Sequence, residues 1–299
     1  MLALVGPTAT GKSAIAMAVA QTRGDVEIVV VDAMQVYRRM NIGTAKPTTH
    51  EQQLVRHHMI DVAEPSVDYS LSLYQRDALA AIDDIEARGR VALLVGGTGL
   101  YLRAVVDQLD IPPQYESLRG TLEADADTSG LYRRLSELDP VAASRMEPSN
   151  RRRIVRALEV TLGSGRPFSS FGPGLAAYAS TTTRLLAVGL DRATLDTRIE
   201  ARYAQQMEMG LLDEVRALLD EPSGLSRTAT QALGYKELFE HLRGELSLDD
   251  ALATAIARTK RFARRQERWF RRDPRIRWLD GSNPVEAQRA VLEECNPCD

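Results

Sequence analysis

Gly6-Pro7-Thr8-Ala9-Thr10-Gly11-Lys12-Ser13 has the G-x-x-x-x-G-K-[ST] spacing of a phosphate-binding loop. An apolar run, Leu2 to Val5, precedes it, and a strong helix former, Ala14 to Ala20, follows. Strand, glycine turn and helix start together aim backbone N–H groups and the positive end of a helix dipole at one point. Gly6 and Gly11 let the chain wrap closely round an anion, with Thr8, Ala9 and Thr10 completing the turn. Lys12 can reach a terminal phosphate, and the Ser13 hydroxyl can hold Mg²⁺. The expected ligand is a di- or triphosphate.

Two further stretches could carry chemistry. Asp32 closes a second apolar run, Val26 to Val31, and so sits at a strand's carboxyl end, where open α/β sheets bind ligands. It reads as a Mg²⁺-organising carboxylate, as a general base, or as a simple turn carboxylate. After it, Met34-Gln35-Val36-Tyr37 offers an amide to hydrogen-bond a planar base and an aromatic ring to stack on it. Thr98 lies in Gly96-Gly97-Thr98-Gly99. The glycines point either to close approach of a ligand or to a tight strand-to-helix turn.

The elements that must position these residues can be read from periodicity. Val91 to Val95 is a third buried strand and Leu185 to Leu190 a fourth. Between the second and third, Ser72 to Arg88 reads as a helix with a Ser72–Gln75 capping box, an apolar stripe of Tyr74, Ala78, Ile82 and Ile85, and Gly89 as its stop. Alternating strands and helices imply an α/β fold with a parallel sheet. From Pro112 to Thr183 helices are expected at Leu118–Ala126, Leu131–Leu138 and Arg151–Leu162, with no strand. The expected organisation is a core of 1–111 and 184–299 interrupted by a mostly helical insertion, 112–183, and mostly helical after Leu195.

The formal net charge of −3 excludes a chain-wide polycation, so a nucleic-acid surface must be local. Two basic stretches qualify. Arg151, Arg152, Arg153 and Arg156 lie in the insertion, and 258–275 carries nine basic residues against two acidic, a balance of +7. In the second, Phe262, Gln266, Trp269 and Phe270 share one helical stripe, leaving arginine on the other faces. His57 and His58 read as structural, and Cys295 and Cys298 as incidental thiols of a cytoplasmic protein. The N-terminus reads as a strand and phosphate loop, not a signal peptide. No apolar run approaches the ~20 residues needed to span a bilayer.

In order along the chain, these segments resemble the tRNA dimethylallyltransferase (tRNA isopentenyltransferase) family. The likeness runs through the phosphate loop, Asp32-Ala33-Met34-Gln35-Val36-Tyr37, Gly43-Thr44-Ala45-Lys46-Pro47 and His57-His58-Met59-Ile60-Asp61. It continues through Gly96 to Tyr101, Arg153 to Glu159, Gly234-Tyr235-Lys236-Glu237 and Lys260 to Trp269. The resemblance implies a P-loop NTPase-like core, Mg²⁺, and transfer of a dimethylallyl group from dimethylallyl diphosphate to N6 of the tRNA adenosine 3′ of the anticodon (position 37). It implies an insertion that grips the anticodon stem-loop, and a monomer. It assigns the diphosphate to the phosphate loop and Lys236, the base to Asp32, substrate contact at the reacting centre to Thr98, and base reading to Gln35 within Asp32–Gln35. It assigns tRNA contact to Arg119 and to Arg152, Arg153, Ile154, Val155 and Arg156. Two positions depart from the family pattern: Ala33 where Ser is common, which loses a hydroxyl contact, and Arg152 where Gln is common. Two rivals share the loop. An enzyme prenylating free adenosine phosphates needs neither the insertion nor the arginine helix, and a kinase would be expected to show a lid motif, which is not evident.

Overall fold

A computed structural model describes residues 1–295; Cys298 lies outside them. In chain order the elements are β1 (Leu2–Val5), α1 (Lys12–Arg23), β2 (Val26–Val31), α2 (Thr49–Leu54), β3 (His57–His58), α3 (Leu71–Ala87), β4 (Val91–Gly96) and α4 (Gly99–Val106). Then follow α5 (Glu116–Ala124), α6 (Thr128–Leu138), α7 (Pro140–Ser144) and α8 (Arg151–Ser164). The chain closes with β5 (Arg184–Gly189), α9 (Arg192–Glu208), α10 (Leu211–Leu219), α11 (Tyr235–Leu242), α12 (Leu248–Phe270), β6 (Ile276–Asp280) and α13 (Pro284–Cys295). The chain divides into two compact units, Met1–Asp107 with Ser180–Asp299, and Gln108–Ala179. The inserted unit thus begins and ends four residues earlier than the expected 112–183. Its start follows the end of α4, where Gln108 takes a positive φ of 44°.

The first unit is a six-stranded parallel sheet in the order β3-β2-β4-β1-β5-β6. Its central strands are predominantly apolar because helices cover both faces. Alternate residues divide between the faces. Val5, Val31, Leu94 and Ala187 pack on one side, while Leu4, Val30, Val95 and Val188 meet α1 and α13 on the other. The expected stripe of α3 is buried, but its cap differs: Ser70 Oγ accepts from Leu73 N (3.2 Å), and Gln75 Nε2 donates to Ala104 O (2.7 Å) instead of closing a box. The edge strands β3 and β6 were not anticipated. His58 does serve the fold, with Nε2 2.7 Å from Glu27 Oε2. Cys295, the last residue of α13, is buried. Among the described residues, no helix is long and apolar enough to cross a membrane.

The second unit is helical, with Leu122, Leu131, Leu135, Ile154 and Leu158 in its core. Asn150 caps α8, and Asp139 caps α7 while accepting from Ser169 N (2.7 Å).

Glu27 is the one charge inside β2. Arg88 and Arg90 pair with it at 2.8 and 2.7 Å, and its carboxyl falls from 4.5 to about 2, chiefly through the Arg88 hydrogen bonds and against the cost of burial. A carboxyl lowered on folding stabilises fully above its unfolded value, and that contribution is lost as pH falls through the folded value. Urea midpoints measured from pH 6 to pH 3 should therefore fall faster for the wild type than for Glu27→Gln. The difference over this range should be on the order of 2 kcal/mol, because pH 3 still lies above the folded value; parallel curves would remove Glu27 as the titrating group.

Candidate active site

The sheet sets the site through register. Val5 pairs with Gly96, Val31 pairs with Gly96, and Val5 pairs with Ala187. Gly6, Asp32 and Gly97, each the next residue in its chain, therefore leave the carboxyl edges of neighbouring strands side by side. Gly6 has φ 141°, and a Cβ there would lie 2.5 Å from Val188 O, so only glycine fits. Ala9 (φ 65°) and Gly11 (φ 90°) turn the loop into the first turn of α1. Inside the loop, Thr10 Oγ1 and Lys12 Nζ both donate to Pro7 O, at 2.9 and 3.1 Å. Lys12 faces no carboxylate across a hydrogen bond. Burial, then the charge of Arg202, draw its amine down from 10.5 to about 8, with Asp32 acting the other way.

Arg202 on α9 donates to Thr8 Oγ1 (2.6 Å) and is also lowered by burial, Tyr203 and Asp32 opposing. Gln266 on α12 takes the Thr8 N–H at 3.0 Å. Thr8 is thus occupied at its N–H and hydroxyl, while the N–H groups of Ala9, Thr10 and Gly11 have no partner among the described residues. Arg202 and Gln266 were not assigned roles from sequence. A signal existed for the first: Arg198 and Arg202, four apart on the helix after β5, share one face, and Arg198 Nη1 lies 3.9 Å from the point a Gly11 Cβ would occupy.

Asp32 turns out to be both a turn residue and a free acid group. Oδ1 accepts from Met34 N (2.8 Å) and Gln35 N (3.3 Å), while Oδ2 has no partner among the described residues. Ala33 N donates to Thr98 Oγ1 (3.2 Å), joining the ends of β2 and β4 and leaving the Thr98 hydroxyl proton to donate elsewhere. Gln35 Nε2 is committed to Thr44 O (3.0 Å) and Ala45 O (3.3 Å), so of the amide expected to read a base only Oε1 is open to a ligand. Tyr37 is 0% exposed and cannot stack on a base. The 38–47 loop behind Gln35 is pinned by buried Lys46, which donates to Tyr37 O and Asp61 Oδ1 (both 2.6 Å). Glu214 adds to this, accepting from Asn41 N (3.0 Å), Ile42 N (2.9 Å) and Tyr235 OH (2.6 Å). The glycines beside Thr98 serve packing. A Cβ on Gly96 would meet Val31 O at 2.0 Å, on Gly97 Gln266 Nε2 at 2.3 Å, and on Gly99 the Trp269 ring at 2.1 Å.

A family model described as IPP transferase matches residues 35–273, and one described as isopentenyl transferase matches 1–68. The tRNA dimethylallyltransferase of Salinispora tropica is 47% identical, the match covering 97% of this chain and 92% of that one. That of Streptomyces coelicolor is also 47% identical, over 98% and 94%. The crystal structure of the full-length tRNA isopentenylpyrophosphate transferase of Bacillus halodurans superposes with a TM-score of 0.70 at 36% identity, covering 98% and 97%. The chain belongs to the IPP transferase family.

The inserted unit sorts its arginines. Arg152 and Arg153 are exposed and unpaired among the described residues. Ile154 and Val155, expected at the RNA, are 0% and 3% exposed and form the unit's core, because their positions on α8 face inward. Arg156 is turned inward too, donating to Pro112 O (2.7 Å), Pro113 O (3.0 Å) and Glu159 Oε1 (2.8 Å). Arg119 pairs with Glu123 at 3.0 Å. Lys236 pairs with Glu240 one turn along α11, a pair that must open before the amine can reach a diphosphate.

On α12 Arg258 and Lys260 are paired to Glu237 and Glu200, while Arg261, Arg264 and Arg268 are exposed.

An amine that is neutral when free but charged in a complex makes binding weaken as pH rises above its free value. Affinity for inorganic diphosphate should accordingly fall above pH ~8, approaching tenfold per unit. In Lys12→Arg that decline should vanish, since a guanidinium keeps its charge. Calorimetric titrations from pH 7 to 9.5 on both proteins check this; the same slope in both would take Lys12 out of the cradle.

Proposed function

We propose that the protein transfers a dimethylallyl group from dimethylallyl diphosphate to N6 of the adenosine 3′ of the anticodon in tRNA, releasing diphosphate. The observation that carries this reading is the meeting of a phosphate loop, a half-free carboxylate and a hydroxyl donor at one sheet edge, in a chain whose 47%-identical relatives bear the name tRNA dimethylallyltransferase.

The chemistry follows from charge. N6 forms a bond to the allylic carbon, the carbon–oxygen bond breaks, and the electron pair leaves with diphosphate. Negative charge grows on that leaving group, where Lys12, Arg202 and the N–H groups of the loop and α1 meet it. The adenine amine is a poor nucleophile because its lone pair is delocalised into the ring. Asp32 Oδ2 accepts the N6 proton, held in direction by the Oδ1 bonds to Met34 and Gln35. Thr98 donates its hydroxyl at the reacting centre, and Gln35 Oε1 accepts from the base edge. The base must leave its stack to reach this edge, which costs least in a loop.

Mg²⁺ fits the loop. Ser13 is exposed in the first turn of α1, its hydroxyl has no partner among the described residues, and those residues contain no group of three or more His, Cys, Asp or Glu able to cage a metal. Ser13 and diphosphate oxygens would hold the ion, the mode of binding usual for P-loop sites. Bound there, it would neutralise leaving-group charge.

Two outcomes are expected. The wild type should add the group to unmodified tRNA, seen by nucleoside mass spectrometry. Asp32→Asn should slow single-turnover transfer by roughly 10²–10⁴-fold while donor and tRNA binding hold. Recovery of the variant by added Mg²⁺ would make Asp32 a metal ligand and refute the base.

Exposed Arg152 and Arg153 contact RNA phosphates in this reading. Replacing both with Ala should lower the slope of log affinity against log salt by roughly 1.5, at about 0.7–0.9 per phosphate contact. A slope equal to the wild type's would remove them from the RNA surface.

A further inference from the structure

Gln266 is a buried amide, 7% exposed, on α12, far in sequence from both segments it touches. Its Oε1 accepts the Thr8 N–H at 3.0 Å and its Nε2 donates to Gly97 O at 2.8 Å. Thr8 belongs to the phosphate loop, and Gly97 precedes Thr98. The paired register of β1 and β4 ends at Val5 and Gly96, just before these two turns begin. The Gln266 amide supplies one acceptor and one donor where the next rung of the ladder would have been. Space has been made for it: a Cβ on Gly97 would lie 2.3 Å from Nε2. One turn further along α12, Trp269 packs on Gly99 in the same way.

We propose that Gln266 is a positioning residue for the transfer reaction, fixing the separation between the phosphate loop and the Thr98 turn. This rests on the function proposed above. The leaving diphosphate lies on one of these segments and the acceptor base on the other. In-line displacement needs the reacting atoms about 3–3.5 Å apart, and a drift of about 1 Å can cost on the order of 10²-fold in rate. Gln266 touches neither substrate; it acts through Thr8 and Gly97.

Gln266→Met keeps length and bulk and removes both hydrogen bonds. Single-turnover transfer should fall by roughly 10²-fold, while donor KM and tRNA affinity stay within about threefold. The Thr8 amide should exchange with solvent faster than in the wild type, which needs no catalysis to measure. Gln266→Glu supplies a second test. Its charged form sets a carboxylate oxygen against Gly97 O, whereas its neutral form reproduces the donor and acceptor. The ratio of variant to wild-type rate should therefore rise as pH is lowered from 8 to 6. Gln266→Met with the wild-type rate, or with a raised donor KM alone, overturns the proposal. A wild type that transfers nothing overturns the proposed function instead, and unchanged Thr8 exchange in Gln266→Met then still overturns the clamp.

Discussion

Burial lowers both Lys12 and Arg202, and the charge of Arg202 lowers Lys12 further, yet neither is hydrogen-bonded to a carboxylate among the described residues. Their bonds go to neutral acceptors, Pro7 O and Thr8 Oγ1. Other cations sheltered in this protein are treated differently: Lys46 meets Asp61, and Arg275 meets Asp107 and Asp273. Burying a cation without a counter-ion costs stability. Here the hydrogen bonds are satisfied and the charge is not, so the site stores affinity for an anion. Asp32 offsets both cations from the neighbouring strand.

That unfavourable pairing survives because distant segments hold it. The loop after β1 is closed by α9 through Arg202 and by α12 through Gln266, both following the inserted unit in sequence. The 38–47 loop is pinned from α10 by Glu214 and from within by Lys46, and its carbonyls in turn orient Gln35. Motif residues far from any phosphate, such as Gly43 beneath the Tyr235 ring, are therefore explained by the support they give to residues that do face a ligand.

The central strands were legible because a strand buried on both faces must be predominantly apolar, as β1, β2, β4 and β5 are apart from Glu27 and the first residue of β5, Arg184. The edge strands were not. β3 has two residues, too few for a pattern, and β6 lies at the sheet edge, where exposed Arg277 and Asp280 break the apolar run and merge it with the arginines of α12. The phosphate loop and Asp32 were legible because their geometry is local: consecutive residues form the nest and the turn. Arg202 and Gln266 act across about 200 or more residues of chain, and nothing in their own segments announces the partner. The resemblance assigned a whole segment to RNA without regard to which way each side chain faces. Ile154, Val155 and Arg156 sit in an arginine-rich motif, but α8 turns the first two into its core and the third onto Pro112 and Pro113.

The same sorting bears on how a chain of formal charge −3 presents a surface to a polyanion. Several acids are spent inside: Glu27 on Arg88 and Arg90, Glu159 on Arg156, Glu237 on Arg258, and Asp107 with Asp273 on Arg275. Charges matched in this way largely offset one another and add little to the field at the surface. Arg261, Arg264 and Arg268 follow at intervals of three and four along α12, so they form one exposed ridge with no acid paired to them among the described residues. Local potential is set by which charges remain unpaired and exposed, and by that measure this helix is far more cationic than the formal count of the chain suggests. The opposite face of the same helix carries Gln266 and Trp269. One rigid element thus presents its charge outward and its packing to the phosphate loop, so the arginine ridge and the transfer site share a single frame.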